Sequence, residues 1–234
     1  MNIIGLIPAR GGSKSIPKKN IKNFNGKPLI SYTINDALES KFITHVVVST
    51  DSQEIADIAL DCNAIVPFLR PKDIAEDITP DFPVMEHAIR WYKEQGQNFD
   101  YMVFLRPTNL FRCSDDIDRG IRKINELNYD SVRSISEVGY SPYWMKKIIK
   151  GEELVDFMDS EYSESRRQEL PKVYQANGAV DVIKIDTILK KKSRYGDQVG
   201  YFKMKEIARV DIDTKLDFEI AEMLINKRMG GYVK

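Results

Sequence analysis

Ile3-Ile4-Gly5-Leu6-Ile7-Pro8-Ala9-Arg10-Gly11-Gly12-Ser13-Lys14-Ser15-Ile16-Pro17-Lys18-Lys19-Asn20 joins a short apolar run to a basic loop. Residues 3–7 are apolar and largely branched, with no polar alternation, which is the pattern of a strand buried on both faces. The loop that follows carries four cations, Arg10, Lys14, Lys18 and Lys19, and two adjacent glycines, Gly11 and Gly12. Where glycine removes the Cβ, backbone N–H groups approach an anion closely, and Arg and Lys add charge. A phosphate site at the carboxyl end of the first strand is the reading these residues favour. The plainer alternative is a solvated basic loop.

Two common phosphate loops do not fit. Walker A places Gly before its Lys, whereas Ser13 precedes Lys14 here, and no third glycine of a dinucleotide fingerprint appears before Gly26.

Lys+Arg and Asp+Glu are both 35 in 234 residues, so net charge is zero and nucleic acid and anionic membranes are not expected partners. Any anion site must come from local clustering. No apolar run is long enough for a bilayer span or a signal segment. Cys62 and Cys113 form no close pair and His45 and His87 have no ligand-like neighbours. Neither zinc nor a disulfide framework is expected, and a cytoplasmic location is.

Beyond the loop, helical and strand patterns alternate. Helices are expected over 28–40, after Ser52 as cap, over 82–95, 114–127 and 217–229, and strands over 45–49, 64–68, 101–105, 131–135 and 178–185. This alternation implies a mainly parallel sheet covered on both faces, with ligands beyond the carboxyl ends of the strands. Residues 139–174 break the rhythm. They hold Tyr140, Tyr143 and Trp144 and then Arg166-Arg167, too long for a connection and too aromatic for simple disorder.

Asp211-Ile212-Asp213 alternates, so an extended segment turns both carboxylates to one side and Ile212 to the core. Two such carboxylates suit Mg²⁺ with phosphate oxygens, or else Asp213 or Thr214 caps a following helix.

With Ala9, Arg10, Ser13, Lys14, Pro17, Lys19 and Asn20, then Ser49-Thr50-Asp51, Arg70-Pro71, Pro107-Thr108, Asn177-Gly178-Ala179 and Asp211-Ile212-Asp213-Thr214, the chain resembles the N-acylneuraminate cytidylyltransferases. The matches keep the family's order over nearly the whole chain. The resemblance implies a three-layer Rossmann-like nucleotidyltransferase fold, one domain over 1–234 with a dimerisation arm at about 139–174. It also implies a homodimer in which the arm reaches the neighbouring subunit's acceptor site. The implied reaction is Mg²⁺-dependent transfer of CMP from CTP to the anomeric hydroxyl of an acidic nonulosonate, with pyrophosphate leaving.

The resemblance casts Arg10, Lys19 and Asp211 as catalytic, and Asp211 and Asp213 as metal ligands. Arg10, Gly11, Lys14, Lys19 and Asn20 would hold the nucleotide's phosphates, with Lys18 facing solvent. Arg70 and the backbone near Thr79 would read the cytosine, unless Arg70 pairs with Asp73. Arg106, Arg167 and Gln175 fall at the acceptor. The chain departs from the sialate pattern there: Arg106-Pro107-Thr108-Asn109 replaces Gln-Pro-Thr-Ser, Asp81 replaces a serine, and Gln175-Ala176-Asn177-Gly178 replaces Arg-Pro-Asn-Gly. N-acetylneuraminate is the first acceptor to consider, with legionaminate, pseudaminate-type acids or 3-deoxy-octulosonate as alternatives. The reading from a different class is a non-catalytic nucleotide-binding regulator, against which the metal pair and Lys19 argue.

Overall fold

Strand β1 (Ile3–Pro8) alternates between two cores, and that alternation sets the layers. Ile3 and Ile7 join Val46, Val48, Val103, Val180 and Val182 in one apolar cluster, and Ile4 and Leu6 join Val47, Met102, Phe104 and Ile183 in another. The structure, a computed structural model, describes residues 1–229. Positions 230–234, the end of the expected domain, lie outside the described residues.

After β1, strands β2 (Asn23–Phe24) and β3 (Lys27–Pro28) pair antiparallel around Asn25-Gly26, whose positive φ angles of 50° and 82° suit an Asn-Gly hairpin turn. There follow α1 (Leu29–Leu38), β4 (His45–Ser49), α2 (Gln53–Asp61), α3 (Asp81–Glu94), β5 (Tyr101–Phe104), α4 (Ser114–Leu127) and β6 (Ser131–Glu137). The chain then forms β7 (Lys146–Ile149), β8 (Glu153–Asp156), β9 (Tyr174–Lys184), α5 (Ile185–Leu189), β10 (Val199–Lys203) and α6 (Lys215–Met229).

The main sheet has six strands in the order β10-β6-β9-β5-β1-β4. Helices α1, α2 and α4 pack on one face and α3 and α5 on the other, giving the expected three layers. The sheet is parallel except for β9, which runs antiparallel to β5 and β6. A third cluster, with Ile16, Phe24, Leu110, Ile212 and Phe218, ties the first loop to α6.

Several sequence expectations shift. Residues 64–68 make only isolated bridges, Val47 to Ile65 and nearby Thr50 to Leu69, because Pro67 lacks the N–H that a ladder needs. The strand expected at 178–185 begins at Tyr174, and β10 was not anticipated, since Gly200 interrupts its pattern. Within residues 139–174, β7 and β8 form a two-stranded ribbon outside the main sheet. Among the described residues, no helix is long and apolar enough to cross a membrane.

Candidate active site

Pro8 of β1, Ser49 of β4 and Phe104 of β5 end neighbouring parallel strands at one rim, the place where open α/β sheets bind ligands. A cavity of about 510 Å³ opens there. Its wall includes Arg10, Lys14, Lys19 and Asn20 from the first loop, Arg70 and Thr79, Asp81 at the start of α3, Arg106 and Thr108 after β5, and Asp213. Segments distant in sequence therefore meet in one hollow.

The first loop is built by its own polar groups. Ala9 N–H donates to Ser49 O at 2.9 Å, and the buried Asn20 donates from Nδ2 to Arg10 O at 3.0 Å. The Gly11 N–H donates to the Asp51 carboxylate, at Oδ1 and 2.8 Å. A Cβ at Gly11 would stand 3.0 Å from Ser52 Cβ, so the glycine serves close packing. Lys18 pairs with Glu54 at 2.7 Å and is not part of the cavity wall, in keeping with a solvent-facing role.

Lys19 is 13% exposed and donates to Ile212 O at 2.6 Å and to Asp213 Oδ1 at 3.3 Å. It joins the first loop to the segment before α6. Arg10 and Lys14 both pair with Asp77. Hydrogen bonds from Lys14 and Arg10 hold the Asp77 carboxyl below the usual carboxylate range.

Arg70 is buried, donating from Nε to Ser49 Oγ at 3.2 Å and from Nη2 to Ser49 O. Burial pulls its pKa down to about 10, even with Asp51 nearby. Its hydrogen bonds go to Ser49, so the Asp73 pairing is not the one adopted. This immobilised guanidinium and Thr79 share the cavity wall.

Ile212 is fully buried and its N–H donates to Thr108 O at 3.1 Å, which fixes the extended segment against the loop after β5. Of the two carboxylates only Asp213 lines the cavity, with its side chain 75% exposed. Asp211 Oδ1 is buried without a hydrogen-bond partner. The helix cap belongs to neither aspartate. Thr214 and Asp217 cap α6 reciprocally, Thr214 N–H donating to Asp217 Oδ2 at 2.7 Å and Asp217 N–H to Thr214 Oγ1 at 3.2 Å. Among the described residues, no group of three or more His, Cys, Asp or Glu stands together to hold a metal ion alone. An orphaned carboxylate oxygen and an open one suit a hard cation whose remaining ligands are water and phosphate, the usual habit of Mg²⁺.

At the other end of the cavity Arg106 donates to Asp81 Oδ2 at 2.7 Å and to Gly178 O at 3.2 Å. Arg194 also reaches Asp81 Oδ2, at 2.5 Å. Behind them the fully buried Asp181 receives Arg133 at 3.0 Å and Tyr195 Oη at 3.3 Å. Arg106 is therefore a paired cation, not a free one.

Two determinants escaped the sequence reading. Arg112, wholly buried, donates from Nη1 to Asn109 O at 2.6 Å and Arg106 O at 3.0 Å, clamping the loop after β5 from behind. Burial draws its pKa down to about 10, opposed by Asp36 and Asp211. Asp77 is the other. Arg167 and Gln175 are not brought to the main cavity: Arg167 lines a separate hollow of about 210 Å³ with Trp144 and Lys172, and Gln175 is exposed on β9 opposite Ser136.

Comparison with known proteins places these features in context. A family model described as Cytidylyltransferase matches residues 4–233. The CMP-N,N'-diacetyllegionaminic acid synthase of Legionella pneumophila is 34% identical over 226 residues, 96% of this chain and 97% of that protein. The N-acylneuraminate cytidylyltransferase of Escherichia coli is 31% identical over 227 residues, 97% of this chain but 52% of that protein. A solved structure of CMP:2-keto-3-deoxy-manno-octonic acid synthetase complexed with CTP has a TM-score of 0.75. It covers 97% of this chain and all of that one at 13% identity, a likeness of fold alone.

Proposed function

The chain belongs to the cytidylyltransferase family, and from that premise we propose that it makes a CMP-sugar from CTP and an acidic nonulosonate. The observation that carries this reading is one cavity whose wall holds Arg10, Lys14, Lys19 and Asp213 together, with Arg70 held by Ser49 beside them.

In the proposed reaction the acceptor's anomeric oxygen attacks the α-phosphorus of CTP. The bond from that phosphorus to the bridging oxygen breaks, pyrophosphate leaves, and the hydroxyl's proton passes to solvent. Displacements of this kind are accelerated chiefly by positioning and charge neutralisation. Arg10, Lys14 and Lys19 would take the phosphates, and Asn20 would keep their loop in shape. Arg70, pinned to Ser49, would present a fixed donor edge to the base. Asp213 and Asp211 would hold Mg²⁺, which when bound supplies charge neutralisation and lowers the acceptor hydroxyl's pKa.

For the acceptor we favour a legionaminate-type diacylamino acid over N-acetylneuraminate. The legionaminic acid synthase matches over 97% of its length, and the Asp81–Arg106 pair stands where the sialate pattern has neutral side chains. The arm would form a homodimer. Ile148 and Leu154 are directly paired across the ribbon and are 69% and 65% exposed, a concentration of apolar surface that calls for a cover. Arg167 would then meet the acceptor in the neighbouring subunit's site. Two free cysteines fit a cytoplasmic location.

The test is pyrophosphate release with CTP, Mg²⁺ and a panel of legionaminic, pseudaminic, N-acetylneuraminic and 3-deoxy-octulosonic acids, with a neutral hexose beside them. Preference for a diacylamino acid supports the reading. A neutral sugar used equally well would remove the acid-sugar assignment.

A further inference from the structure

The ion pairs of Asp77 with Arg10 and Lys14 cross a cleft. On one side is the cavity already described. On the other is a hollow of about 570 Å³ lined by Gly12, Asp51 and Ile78. Arg10, Lys14 and Asp77 line both, so these three side chains partition one larger opening. Each carboxylate oxygen serves one cation, Oδ1 for Arg10 and Oδ2 for Lys14.

The loop carrying Asp77 is otherwise lightly held. Its backbone hydrogen bonds are local: Ile74 to Pro71, Ala75 to Lys72, and Thr79 to Glu76. Among the described residues, the hydrogen bonds and ion pairs of residues 71–80 to the rest of the chain run through Asp77. Ile78, beside it, is 86% exposed and gives the tip no apolar anchor. Both ends are fixed, by Arg70 N–H donating to Thr50 O at 2.7 Å and by the start of α3 at Asp81.

We infer that Asp77 is a displaceable strap: it occupies the phosphate-gripping cations until a triphosphate competes it away, swinging residues 75–79 and joining the two hollows. The inference rests on the proposed role of Arg10 and Lys14 in holding CTP. A single carboxylate offers one negative charge to the two cations. A triphosphate offers several, with more acceptor oxygens for charge-assisted bonds. Thr79 is on the same loop, so release of Asp77 by phosphate also moves the segment that meets the base. The strap lowers apparent nucleotide affinity by the fraction of chains in which it is open. A nucleoside without phosphates leaves it shut.

The experiment is calorimetric titration of wild type, Asp77→Asn and Asp77→Ala with CTP, inorganic pyrophosphate and cytidine, in EDTA so that the side-chain cations alone hold phosphate. Asp77 is on an exposed loop outside the three apolar clusters, so both variants keep the fold. CTP and pyrophosphate should bind both variants about threefold to thirtyfold more tightly than wild type, with cytidine unchanged. Equal affinities would make Asp77 an ordinary surface pair, and weaker ones would make it part of the phosphate site. Either result overturns the strap. If CTP bound none of the three proteins in EDTA and still none with Mg²⁺ restored, the proposed nucleotide role of the cavity would fail. Pyrophosphate would still decide the strap by the same comparison.

Discussion

Arg106 and Asp81 are partners, joined from Nη2 to Oδ2 at 2.7 Å at one end of the cavity. In the sequence these positions stand 25 residues apart and look like two separate departures from the sialate pattern. In the fold each neutralises the other, with Arg194 and Asp181 completing the network. The two substitutions are one feature.

A double-mutant cycle with Arg106→Gln, Asp81→Ser and the pair tests this coupling. Each single change removes one partner from a charge and unbalances the network it shares with Arg194 and Asp181, so the double variant should be more stable than the sum of the singles. The expected coupling is about 1 kcal/mol or more by urea unfolding. Additivity within about 0.3 kcal/mol would make the two side chains independent.

Lys19→Ala should lower kcat/KM with CTP by roughly 10- to 150-fold, the equivalent of losing a charge-assisted hydrogen bond of ~1.5–3 kcal/mol. Its amine is nearly enclosed and reaches Ile212 O, so it cannot be an ordinary surface lysine. Steady-state kinetics showing a loss under about threefold would remove it from the phosphate grip.

The observed cap before α6 and the proposed metal role of Asp213 can be tested apart. Thr214→Ala should cost about 1 kcal/mol of stability with no change in the Mg²⁺ requirement, because Thr214 caps the helix. Asp213→Asn should leave stability near wild type and raise the Mg²⁺ concentration for half-maximal turnover several-fold. Thermal melts with magnesium titrations check both, and the reverse pattern would assign Asp213 to the cap.

Much of this was legible in the sequence. Residues 3–7 announced a buried strand because apolar continuity is local, and the first loop announced a cationic cluster, which the fold sets in the wall of the rim cavity, because its cations are close in sequence. Ser52 was read correctly as the cap of α2, where its Oγ accepts from Ile55 N–H at 3.5 Å. What escaped depends on partners far apart in sequence. Asp77 meets Arg10 across 67 residues, and Arg112 meets Thr33 across 79. No local periodicity encodes such pairs. The bond from Gly11 N–H to Asp51, 40 residues away, was hidden for a related reason. Residue type suggested the chemistry, and topology decided the partner.

Sedimentation should show a dimer at micromolar concentration, and Ile148→Ser with Leu154→Ser should yield a folded monomer. Both side chains are exposed in the isolated chain, so their loss should leave its melting temperature little changed while removing the arm's apolar cover. A compact, active wild-type monomer would refute the arm's role.

The most direct measurement is pyrophosphate release with one acidic nonulosonate, Mg²⁺, and CTP, UTP, ATP or GTP in parallel. CTP should exceed both purine triphosphates by at least about 100-fold in kcat/KM, because in the proposed role Arg70, fixed on Ser49, would read the base by its remaining donors, which an unmatched base would leave unpaired. Equal turnover with ATP would contradict base reading by Arg70, and CTP binding without any pyrophosphate release would make the chain a nucleotide-binding regulator.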